Sequence, residues 1–182
     1  MNNIATAIPA IWQANTQQHA YRQLMQAFAN PGQIETLSAD AMLLTLATLL
    51  DGATSLADVH GLISVLDWAR LETVNDVPET AHFILADGAQ VPEFSPCLGT
   101  LESPEGGATL LLTVAAINHG TSYTLSGPGV DGARNITVQG LNSAWLDSRE
   151  SWNAAFPMGV DIVLLAGKQA MALPRTTRIK GA

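Results

Sequence analysis

The sequence predicts an α/β protein, a single-domain mixed-sheet sandwich covered by helices and spanning residues 1–182. Three observations carry this expectation. Segments of helical and strand periodicity interleave through the first half of the chain. The second half is richer in short apolar runs punctuated by Gly and Pro, as strands and turns are. The chain closes on two apolar runs, 162–166 and 170–173, joined by Gly167-Lys168, which reads as a β-hairpin. With 182 residues, the chain can bury a core without disulfides.

Residues 1–15 are expected to be a flexible or loosely docked N-terminal segment. Thr16 is placed to cap a helix over 16–29. Its apolar positions Tyr21, Leu24, Met25 and Phe28 follow i, i+3, i+4, i+7, and Pro31-Gly32 stops it. A short extended piece, 33–37, follows. Ser38 then caps a helix over 41–50 that is apolar nearly all round, as buried helices are. Residues 54–59 read as a strand, and Asp58 caps a third helix over 60–72. Residues 81–86 read as another strand. The Pro-containing stretch 91–107 is long for a loop in a compact domain. The apolar run 108–117 reads as a central strand. Strands 122–125 and 136–138 flank Gly127-Pro128-Gly129, and a helix runs from Asn142 or Ser143 to about Asn153. Leu141, Trp145, Trp152 and Phe156 fall near one face of it, so Trp145 and Trp152 are candidate interface residues.

Composition narrows the function. Hydrophobic residues make up 47% and charged residues 13%, against about 25% charged in ordinary globular domains. So little polar surface favours burial against a partner. The net charge is −8, with 12 acids and one base over 35–105 but four acids and six bases over 131–182. Such a chain is unsuited to nucleic acid, which demands clustered Lys and Arg. No apolar run reaches the roughly 18 residues of a membrane span, and the N-terminus lacks the pattern of a secretory signal. A cytoplasmic protein is expected. The single cysteine, Cys97, excludes an internal disulfide.

No familiar catalytic constellation emerges. His19, His60, His82 and His119 are scattered without metal-ligand spacing, so no metal is expected. Neither glycine-rich stretch has phosphate-loop spacing, and no nucleophile elbow is present. The best anion-binding candidate is Arg175 with Thr176, and Arg22 on the first helix as a more distant option, since a guanidinium forks onto phosphate or phosphonate. The competing reading pairs Arg175 with Asp161, because an antiparallel hairpin brings its entry and exit together. The pairing explains both residues at once and is preferred.

Several motifs, taken in order, carry a resemblance. Phe156-Pro157-Met158-Gly159-Val160-Asp161 and Pro174-Arg175-Thr176-Thr177 bracket the closing hairpin. His19-Ala20-Tyr21-Arg22, Leu24-Met25, Ala27-Phe28 and Pro31-Gly32 precede them. Gly99-Thr100-Leu101, Pro104-Glu105, Gly107-Ala108-Thr109 and Leu125-Ser126-Gly127-Pro128-Gly129 lie between. The set resembles the PhnH family, a subunit of the bacterial carbon–phosphorus lyase complex, over roughly residues 16–178; the 51–95 stretch matches least. The resemblance implies a fold similar to the large domain of pyridoxal-phosphate-dependent transferases. It also implies a homodimer that docks with PhnG, PhnI and PhnJ partners, and an accessory role in joining a phosphonate to ATP with release of adenine. Pyridoxal chemistry needs a pocket lysine. The only lysines are Lys168, in the hairpin turn, and Lys180, near the end, so no cofactor is expected. The alternative is a stand-alone phosphonate- or nucleotide-binding protein or enzyme that uses Arg175 and its neighbours.

Overall fold

The computed structural model describes residues 8–181. Part of the expected loose N-terminal segment, 1–7, lies outside the described residues. Beyond it, a short 3-10 turn at Ala10–Trp12 lays Ile11 and Trp12 against a buried apolar cluster.

Seven strands form a mixed sheet. In chain order they are β1 (Glu35–Thr36), β2 (Ser55–Asp58), β3 (Val74–Asn75), β4 (Phe83–Asp87), β5 (Thr109–Thr113), β8 (Asp161–Ala166) and β9 (Gln169–Leu173). Their spatial order is β1-β9-β8-β5-β4-β2-β3. β3, β2, β4, β5 and β8 run parallel, while β9 and β1 add on antiparallel. A second, antiparallel sheet has the order β10-β6-β7, from β6 (Ala116–Ser126), β7 (Arg134–Gln139) and β10 (Arg178–Gly181).

Period-two alternation sorts the central strands onto two faces. Leu85, Leu111, Val163 and Leu165 point to one side. There they meet Ala20 and Leu24 of α1 (Ala14–Ala29) and Leu44 and Leu46 of α2 (Ala41–Leu49). Ile84, Leu110, Leu112, Ile162 and Leu164 point to the other side. They meet the small sheet, through Ile117, Tyr123, Leu125 and Val138, and Trp145 of α4 (Ala144–Trp152). The expected helical cover therefore holds for one face. On the other, the small sheet shares the covering with α4.

Several local expectations are corrected. α1 begins at Ala14 with no side-chain cap, so Thr16 lies inside it. Its inward face is Ala20, Leu24 and Ala27, while Tyr21 and Met25 are 49% and 39% exposed. The small alanines let the helix approach the sheet closely, which rotates the larger side chains outward. Asp40, not Ser38, caps α2: its carboxylate accepts from the Leu43 amide at 2.9 Å. The expected long third helix is a single turn, α3 (Val65–Trp68). Asp58 instead accepts from the amides of Leu62 and Ile63, both at 2.9 Å, which holds the chain in a turn. The apolar run 108–117 is not one strand. The Val114 amide donates to Leu165 in the large sheet and the Ala115 amide to Gln139 in the small one, each at 2.9 Å. The chain changes layers between these two residues, and hydrophobicity alone cannot signal that. Among the described residues no helix is long and apolar enough to cross a membrane.

Candidate functional site: a closed ion pair beside a cationic groove

The β8–β9 hairpin pairs Ile162 with Leu173, so Asp161 and Arg175 leave its open end together. Asp161 takes three hydrogen bonds from Arg175. The backbone amide donates to Oδ1 at 2.6 Å, and Nε and Nη2 donate to Oδ2 at 3.1 and 2.7 Å. The remaining nitrogen, Nη1, donates to the carbonyls of Pro104 at 2.8 Å and Pro157 at 3.3 Å. Every guanidinium nitrogen of Arg175 is thus engaged within the chain. The side chain clips the 98–107 loop to the hairpin mouth, and Gly159 adds a second tie by donating to Leu98 at 2.9 Å. Four of its five N–H donors are spent inside the chain, which leaves at most one for an outside anion.

Gly159 itself is fixed by geometry. Its φ is +141°, a region that L side chains rarely adopt. Asn153, just past α4, accepts from the Val160 amide at 2.7 Å and donates back to its carbonyl at 3.2 Å. A Cβ on Gly159 would collide with Asn153 Oδ1. Gly159→Ala is therefore expected to break this clamp and cost about 2–4 kcal/mol, read as a lowered urea midpoint. A midpoint unchanged from the wild type would refute the placement.

Arg149, which belongs to no motif, is the most unusual charged side chain of the region. It is 5% exposed. Its Nη2 donates to the carbonyls of Pro174 and, at 2.9 Å, Thr177, which stitches α4 to the hairpin exit. Burial lowers its pKa to about 10, while the negative charge of Asp161 opposes that shift; the group stays charged at neutral pH. A signal was present in the sequence: Arg149 lies four residues after Trp145 and three before Trp152, on the helix face that points inward.

A groove of about 1050 Å3 runs between α4 with its following loop and the 175–181 segment. Arg149, Arg175, Thr176, Arg178 and Lys180 line it. Arg22 does not. It is exposed on α1, which covers the opposite face of the large sheet from α4, so the four residues expected as an anion site or structural pair are not one cluster. Trp145 also changes role. Trp145 is fully buried, and its indole N–H donates to the Gln90 carbonyl at 2.7 Å. Trp152 is partly buried and stacks on Phe94, with ring centroids 6.2 Å apart. Trp145 thus serves the core of its own chain, because α4 turns that face toward the sheet.

Two of the histidines and the cysteine have local partners. The His82 ring meets the Ser55 hydroxyl at 2.9 Å. His60 accepts from the Asp87 amide at 3.0 Å. Cys97 donates to the Gly106 carbonyl at 3.3 Å. Among the described residues no group of three or more His, Cys, Asp or Glu side chains is placed to hold a metal ion. Lys168 and Lys180 are both exposed.

The fold is thus a mixed α/β one, closed by a hairpin whose acid and base lock a central loop. Residues 10–180 match the family model described as bacterial phosphonate metabolism protein (PhnH), and the chain belongs to that family. It is 44% identical over 183 residues to HtxG of Stutzerimonas stutzeri, described provisionally as a C-P lyase subunit protein; the match covers 98% of this chain and 94% of the relative. It is 33% identical over 181 residues to the alpha-D-ribose 1-methylphosphonate 5-triphosphate synthase subunit PhnH of Rhizobium meliloti (strain 1021), with 90% of each chain covered.

Proposed function

We propose that this protein is a non-catalytic, accessory subunit of a carbon–phosphorus lyase core. In this reading it is needed where a phosphonate displaces adenine from ATP to give a ribose 1-phosphonate 5-triphosphate. It works in the cytoplasm as a homodimer, docked with PhnG-, PhnI- and PhnJ-type subunits. Its fold is the large-domain fold of pyridoxal-dependent transferases with the cofactor chemistry lost. The full-length likeness to proteins named as subunits supports this reading. The observation that carries it against a stand-alone enzyme is the commitment of Arg175, each of whose guanidinium nitrogens serves Asp161, Pro104 or Pro157. For the dimer, the α1 face with exposed Tyr21 and Met25 is better placed than the buried Trp145.

Two measurements test the reading. A tagged chain expressed with the other core subunits is expected to bring them down. The pure chain, incubated with ATP and a phosphonate, is expected to release no adenine. Adenine release by the isolated chain would overturn the accessory role, and failure to recover any core subunit would overturn the docking.

A further inference from the structure

The groove beside α4 has the size of a small-ligand site. Its cationic wall stands out in a chain of net charge −8. Arg175 is committed to Asp161, but Arg149, Arg178 and Lys180 are not paired with carboxylates among the described residues. Arg149 Nε and Thr177 Oγ1 are both buried with no hydrogen-bond partner among the described residues. Both residues are at least nine-tenths buried, at 5% and 2% exposure, and both line this groove. Buried polar groups are nearly always partnered, and the Arg149 charge is offset by Asp161 without a direct ion pair. Together the two groups point to an acceptor-rich, negatively charged occupant.

Two further features indicate its shape. Arg178 and Lys180 are alternate residues of β10, so their side chains leave the strand on one side, roughly 7 Å apart. Both are exposed. That separation suits more than one oxyanion. Phe156, 63% exposed, and Tyr123 add aromatic surface to the same groove, which an organic body can pack against.

We propose that this groove binds a polyphosphate-bearing small molecule, with its oxyanions on Arg149, Arg178 and Lys180 and its organic part against Phe156. Asp147 and Glu150 belong to α4 and also line the groove. They repel the anion from their rim and so set its orientation. The site binds and makes no bonds. It stands apart from the docking reading, because a chain that recruits no partner can still hold the ligand.

Titration calorimetry of the full chain with inorganic triphosphate at low ionic strength tests the site. Saturable one-to-one binding is expected. Arg178→Ala with Lys180→Ala should raise Kd by about tenfold or more, with the circular dichroism spectrum unchanged. Arg149→Lys keeps the charge but loses the fork, and should weaken binding by a similar factor. Should that variant fail to fold, the β10 pair decides alone. Lys168→Ala, at the hairpin tip, should bind as the wild type does. Absence of saturable binding, or an equal loss in Lys168→Ala, would overturn the site.

Discussion

Trp145→Ala is expected to destabilise the fold by about 4 kcal/mol, among the largest effects of any single substitution in this chain. The side chain is fully buried, its ring packs at 60° against Phe94 with centroids 5.9 Å apart, and its N–H is bonded to Gln90. Truncation removes the aromatic bulk between α4 and the large sheet. It also strands the Gln90 carbonyl. For a chain of this size each kcal/mol shifts the melting temperature by about 2–4 °C, so a fall of about 8–16 °C should appear in a thermal melt. The loss should not depend on protein concentration, because the contact lies within one chain. A concentration-dependent loss, or one below about 1 kcal/mol, would return Trp145 to an interface. Trp145→Phe retains most of the packing and loses the hydrogen bond, for about 1–2 kcal/mol.

The second large effect belongs to the hairpin mouth. Asp161→Ala removes the acceptor of three hydrogen bonds and leaves the Arg175 guanidinium with carbonyl partners alone. The two side chains are 19% and 13% exposed, so the pair is substantially, though not completely, shielded from water. Breaking one partner of such a pair should cost about 3 kcal/mol, more than an exposed ion pair of the same length contributes. Asp161 also lends its charge to the buried Arg149, so its loss leaves two guanidinium groups close together without compensation. Urea denaturation of Asp161→Ala, Arg175→Met and the double variant forms a thermodynamic cycle. A coupling of about 2 kcal/mol is expected between the two positions. A coupling near zero would show that the pair is geometric only.

The sequence shows the hairpin mouth more clearly than any other part of the molecule. Asp161 and Arg175 lie at its two ends, and strand pairing through a tight turn is a local event. α2 is legible for a similar reason: nine residues with hardly a polar face must be buried wherever the chain goes. The 60–72 stretch misleads because Asp58 holds two amides in a turn and leaves only Val65–Trp68 helical. Its exposed Val65 and Leu66 have no core to face.

Patterns confined to a few neighbouring residues were therefore enough for the α/β class, the buried helix and the acid–base pair, since hydrogen bonding and side-chain alternation repeat over short spans. The splitting of 108–117 between two sheets, the inward turn of Trp145 and the cationic groove depend on segments far apart in the chain. Arg149 reaches carbonyls 25 and 28 residues away. Such contacts are set by how the layers stack, and neither periodicity nor composition records that stacking.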